Sequence, residues 1–165
     1  MKSELEEKLF NKYPKIFCGK DKPITENLMS FGFECGGGWY WLIDNLCGAI
    51  QAYCDSRNDG VRIRNNALHK QKEEDSKTPK KGRWEGNVIE EKEWQVEATQ
   101  VKQKFGGLRF YISGADDMVH GMITLAEHLS YEICESCGST ENIKQTKGGW
   151  IFSLCPKCTE ERGKL

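Results

Sequence analysis

The chain has 165 residues, 30% of them charged, with a formal net charge of −1. That length suits one ordinary domain or two very small ones. The near-neutral balance argues against a generic nucleic-acid clamp, which needs a strong positive field, although it leaves room for a local basic patch. No stretch reaches the roughly 18 apolar residues of a membrane helix, and the opening MKSELEEKLFNKYPK lacks the apolar run of a secretory signal. A cytoplasmic protein with no membrane partner is expected.

In chain order, residues 3 to 12 read as a short helix, with Ser3 and Glu6 in capping-box spacing and Leu5, Leu9 and Phe10 on one side. Residues 15 to 38 are less regular, with a turn at Lys20, Asp21, Lys22 and Pro23. From 39 to 56, Trp39, Leu42, Leu46, Ile50 and Tyr53 recur at helical spacing, flanked by Cys47 and Cys54, and the polar DSRNDG stops this helix near Gly60. Residues 69 to 83 hold no large apolar side chain to offset the entropy of ordering. A flexible loop over 66–83 is expected, ending in the basic run Lys80, Lys81 and Arg83, with Trp84 marking the return to folded chain.

WQVEATQVKQK, residues 94 to 104, fits strand or helix. Gly106-Gly107 then suggests a tight turn into a strand in which Leu108, Phe110 and Ile112 alternate with Arg109 and Tyr111. A second helix spans 116 to 130, with Met118, Met122, Leu125 and Leu129 on one face, Val119 and Ala126 adjoining, and Asp116 and Asp117 at its positive end.

Eight cysteines divide into two kinds. Cys18, Cys35, Cys47 and Cys54 follow no ligand spacing, whereas Cys134, Cys137, Cys155 and Cys158 form two CxxC pairs. In a reducing cell such pairs point to metal rather than disulfides. Four thiolates in a tetrahedron favour one zinc ion per chain, and four protein ligands leave no open position for catalysis, so the ion is structural. Its work is to fold a tail too small to hold itself together. In that tail Lys144, Lys147, Lys157 and Arg162 are countered by Glu141, Glu160 and Glu161.

FGFECGGGWYWLIDNLC, Phe31 to Cys47, raises a separate question. Backbone amides of Gly36, Gly37 and Gly38 at a helix start can seat an anion, and a thiol at Cys35 could be activated there. No GxxxxGK[ST] or GxGxxG accompanies them. A cysteine nucleophile also needs a base, and the only histidines are His69, His120 and His128. No catalytic residue is assigned, and a buried structural Cys35 is the simpler reading. Asp116, Asp117 and His120 are explained by capping and surface pairing. A ligand groove has better support: Trp39, Tyr40 and Trp41 cannot all face one core, and Arg109 with Tyr111 lies opposite Leu108 and Phe110. Gly36, Gly37, Gly38, Trp39, Trp41, Arg109 and Tyr111 are the candidate ligand-binding set, suited to a base, a nucleotide or a peptide.

GFECGGGW, QVKQKFGGLRFYISG and the closing CESCG with LCPKC resemble small proteins of tailed bacteriophages and prophages. Similar proteins tend to carry an aspartate after Cys-Gly, where this chain has Gly37. The resemblance implies a protein of the host cytoplasm that binds and redirects a host protein or counters host defence.

The expected architecture is α+β: a mixed helix and strand body over 1–133 with a zinc ribbon, 134–165, packed on it. Three functions follow. The first is a non-enzymatic binding protein, a phage accessory or anti-defence factor with a host protein or small nucleotide-like ligand as partner. The second is an enzyme acting on a nucleotide-like or peptide substrate at Cys35–Trp39. The third is a nucleic-acid-binding ribbon. A virion component is a further option.

Overall fold

A computed structural model describes residues 1–77 and 87–163. It divides into two units, one formed by Met1–Gln51 with Gln95–Leu165 and the other by Ala52–Trp94. Helices and short strands mix throughout, so the α+β class holds.

In the first unit, helix α1 spans Ser3–Lys12. The expected capping box is absent, because the side chain of Glu6 turns away to accept the amide of Phe33 at 2.8 Å. An irregular segment follows, tied down where Ala98 donates to the Ile16 carbonyl at 2.8 Å and Asn27 donates to the Ala98 carbonyl at 3.1 Å. Strand β1, Phe33–Glu34, runs parallel to β2, Glu97–Lys104, which pairs antiparallel with β3, Gly107–Ser113. The register places Phe33, Val101 and Phe110 side by side on the buried face, and Glu34, Lys102 and Arg109 on the other. Phe10, Phe17, Phe33 and Phe110 form the aromatic centre of the core, with ring centroids 5.2 to 6.4 Å apart.

The β2–β3 turn is Phe105-Gly106, one residue earlier than the glycine pair suggested. Both residues have positive φ, as a two-residue hairpin of this hand requires. Gly107 serves a different purpose: a Cβ there would lie 2.4 Å from the Tyr131 ring.

Helix α2, Tyr40–Lys77, begins in the first unit and continues through the second. Within the first, Leu42, Ile43, Leu46, Cys47 and Ile50 are buried, as the helical spacing predicts. Asp44 receives Lys12 at 2.8 Å, and its backbone carbonyl receives the Tyr13 hydroxyl at the same distance.

Helix α3, Asp117–Leu129, is capped by Asp116, whose side chain accepts the Val119 amide. Its buried face is Val119, Ile123 and Ala126, so the two residues expected beside the stripe are buried while Met118, Leu125 and Leu129 of the stripe itself are exposed. The strand edge accounts for this rotation. Glu127 and Ser130 continue the same arc and accept the outward amides of Phe110 and Leu108, at 3.0 and 2.9 Å. The open edge of β3 is thereby closed to further strands.

In the second unit α2 runs on past Gly60, so residues 66–77 are helical where a loop was expected. Extending a helix that already exists requires no new nucleation, and Lys, Glu and Gln are good helix formers. Leu68 is buried within this stretch, as is Asn65 just before it. The remainder of the expected loop, with Lys80, Lys81, Arg83 and Trp84, lies outside the described residues.

An extended segment is clasped to α2 here by two asparagines. Asn58 donates to the Trp94 carbonyl and accepts the Trp94 amide, both at 3.0 Å. Asn65 does the same for Ile89, at 2.7 and 3.0 Å. Arg57 covers the Trp94 ring at 4.3 Å.

Candidate metal centre

The chain closes with β4, Lys144–Gln145, antiparallel to β5, Ser153–Leu154, and a short helix α4, Pro156–Arg162. Each CxxC bends so that its two sulfurs converge. In the first, the Gly138 amide turns back to the Cys134 carbonyl at 2.8 Å, and Gly138 takes the positive φ that this tight return needs. The four sulfurs of Cys134, Cys137, Cys155 and Cys158 lie within 4.8 Å of one another.

Distance separates the two chemistries open to such a set. Cys137 and Cys155 sulfurs are 3.7 Å apart. A disulfide needs about 2.05 Å, whereas a tetrahedral ion with metal–sulfur bonds of about 2.3 Å spaces its ligands at about 3.8 Å. The donor set fits a metal ion, and Leu154, Ile143 and Phe152 shield it from one side.

The electrostatics agree. Burial pushes the Cys134 thiol up, but hydrogen bonds from the backbone amides of Cys155, Cys137 and Ser136 outweigh it and bring the group down to about 7. Cys158 is pushed up to about 12, by burial first and then by the neighbouring thiols. The Cys134 thiolate forms readily, whereas Cys137 and Cys158, both raised, need a cation beside them to ionise.

The glycine run belongs to this centre. Gly38 donates to the Glu135 carbonyl at 2.8 Å and Gly36 to the Glu135 carboxylate at 3.0 Å. A Cβ on Gly38 would lie 2.2 Å from the Cys134 carbonyl, and one on Gly36 2.2 Å from that of Glu135. Trp39, fully buried, donates from its indole to the Ile133 carbonyl at 3.0 Å. Two of the amides expected to seat a phosphate are therefore taken up by Glu135, that of Gly38 by its backbone carbonyl and that of Gly36 by its carboxylate. The β2–β3 hairpin grips the other side: Ser153 donates to the Gly106 carbonyl at 2.7 Å, and the Gln103 side-chain amide donates to the Ile151 carbonyl.

The other candidate ligand residues are dispersed. Gly37 faces Leu5. Trp41 is exposed on α2. Arg109 is occupied by the Leu108 carbonyl, the Tyr131 hydroxyl at 3.2 Å and Glu127 at 3.7 Å. Tyr111 lies on the outer sheet face with the Lys102 ammonium 5.5 Å from its ring centre.

Cys35 is buried, and desolvation raises its thiol to about 12, the reverse of an activated nucleophile. His69, His120 and His128 are all exposed. Glu135 is the residue that sequence reasoning passed over. It is 5% exposed, and one of its carboxylate oxygens has no hydrogen-bond partner. An acid between two cysteine ligands reads as solvated; only the spacing of Gly36 and Gly38 hinted that another chain segment comes close.

No protein-family model matches the chain, and no curated protein or solved structure matches it.

Proposed function

We propose that this chain is a non-enzymatic binding protein built around one structural zinc ion. It would act as a phage accessory or anti-defence factor on a host protein or a nucleotide-like ligand in the host cytoplasm. Zinc would cross-link the four thiolates and neutralise much of their charge, and the residues around it hold that cross-link in place. One observation carries the reading: Gly36 and Gly38 are committed to Glu135. The amides that could bind an anion or activate Cys35 are engaged inside the protein, beside a centre with four protein donors and no vacant position. Among the described residues, no helix is long and apolar enough to cross a membrane. The phage assignment rests on the resemblance of the GFECGGGW, KFGGLRFY and paired CxxC motifs.

Native mass spectrometry of the full chain, purified without added metal, tests the zinc. One zinc per chain is expected; iron, or a folded and reduced protein without metal, overturns that part. The non-enzymatic part is tested with Cys35→Ala. The variant is expected to fold, keep its zinc and retain its effect on phage growth. Nucleotide or peptide turnover by the parent chain that vanishes in the folded variant would overturn it.

A further inference from the structure

A groove runs along the outer face of β2 to the segment that leads into β5. Its volume is about 570 Å³, and Cys35, Lys102, Lys104, Glu135, Trp150 and Phe152 line it. That volume lies within the usual range for a site holding one small molecule.

Three features of the groove are unexplained by folding alone. Glu135 is buried, yet only one carboxylate oxygen is satisfied, by the Gly36 amide; the other has no donor and is itself closed to solvent, so a ligand reaches it only when the side chain turns into the groove. Buried acceptors of this kind are uncommon and call for a partner. Trp150 is 79% exposed, a large aromatic plane at the rim. Lys102 and Lys104 stand on the same strand face and, among the described residues, are paired with no carboxylate; their contacts are the rings of Tyr111 and Phe105. The nearby acid Glu34 is engaged by Gln100 at 2.8 Å.

A hydrogen-bond acceptor, an aromatic plane and two cations around one small volume suit a ligand with an N–H edge, a flat ring and an anionic group. We propose that this groove binds a mononucleotide, with the Glu135 side chain turned outward to accept a base N–H, the base stacked on Trp150 and the phosphate between Lys102 and Lys104. Guanine is the best first choice, since its ring N–H and amino group put adjacent donors on one edge. This rests on the nucleotide form of the function proposed above, and moves the ligand from the glycine run to the ribbon side of the sheet.

The test is calorimetric titration of the zinc-loaded full chain with GMP, with guanosine and ribose 5-phosphate as partial ligands. GMP is expected to bind at one site per chain and both fragments more weakly. Trp150→Ala and the double variant Lys102→Gln/Lys104→Gln alter exposed or half-buried side chains outside the core and should fold. Each is expected to weaken GMP by about tenfold or more, the scale of one lost stacked base. The lysine variant should leave guanosine unchanged, and raised salt should weaken GMP more than guanosine. Glu135→Gln, with zinc content still at one per chain, is expected to weaken GMP and guanosine alike. No GMP binding at millimolar concentration overturns the inference and leaves the host-protein form of the function standing. GMP binding unaffected by the tryptophan and lysine variants also overturns it, while preserving a nucleotide ligand seated elsewhere. Loss of zinc as well in the wild-type sample would mark failure of the underlying reading instead.

Discussion

Two places in this chain hold an irregular segment by opposite means. At the metal centre the chain is stripped bare: Gly36 and Gly38 carry no side chain, so the backbone of Cys134–Gly138 can approach to hydrogen-bonding distance and a Cβ would collide with it. In the second unit side chains do the backbone's work. Asn58 and Asn65 each present an amide that mimics a peptide group, giving an N–H and taking one from the same residue of the extended segment. On the zinc reading proposed above, the first device depends on the metal to keep its partner loop folded, whereas the second is carried by side chains of a helix.

Metal removal tests that difference most severely. A chelator is expected to unfold the ribbon, because the binding energy of a structural zinc is largely its folding energy. Hydrogen exchange should then show protection lost at the Gly36 and Gly38 amides and retained at those of Ile89 and Trp94. Simultaneous loss at all four would mean that the two devices are one cooperative structure.

Gly38→Ala comes next. The new methyl meets backbone atoms of Cys134, Glu135 and Gly138 at 2.2 to 2.7 Å, none of which can rotate away. A destabilisation of about 3 kcal/mol is expected, with weaker zinc retention, read by denaturant melts and competition with a chromogenic chelator. Gly37→Ala is the control: its Cβ meets only the end of the Leu5 side chain, at 3.2 Å. Similar losses for both would show that the glycines serve flexibility rather than close approach.

In the clasp, Asn65→Ala removes both bonds to Ile89 from a fully buried position. The cost expected is about 2 kcal/mol, since the Ile89 groups lose their partner. Asn58→Ala should cost less, because Asn58 is half-buried and water can replace it. Equal costs would argue that burial does not set the strength of the mimicry.

These two places also mark what the sequence disclosed. The paired CxxC motifs were legible because metal chemistry demands a ligand type at a fixed spacing, and the helical stripe from Leu42 to Ile50 because burial repeats with the helix. The glycine run was conspicuous, but its partner, Glu135, is about a hundred residues away, and nothing local told an anion seat from a backbone contact. The rotation of α3 was hidden for a similar reason. Hydrophobicity favoured Met118, Leu125 and Leu129, while the edge of β3 required Glu127 and Ser130 on the inner side. The asparagine clasp left no pattern at all, since two amides seven positions apart in a polar helix look solvated.

Acid offers the smallest and most selective probe. Asparagine amides have no proton to lose or gain, but the first unit contains a carboxylate hub. Glu97 accepts from Lys22 at 2.7 Å and from Asn27 at 2.8 Å, and the hydrogen bond with Lys22 is the main cause that holds its carboxyl below the ordinary value. A group lowered on folding contributes fully above its unfolded value and loses that contribution as pH falls through the folded one. Acid also protonates thiolates and releases metal, so the absolute stability of the wild-type chain is a poor readout. The difference between wild type and Glu97→Gln cancels that common loss. It should be constant from pH 7 down to about 4.5, near the unfolded carboxylate value, and should shrink below it. The denaturation midpoint should move less than for Asn65→Ala, because Lys22 and part of Glu97 face solvent and water screens the pair. A difference that stays flat into acid would remove Glu97 as the hub of the first unit.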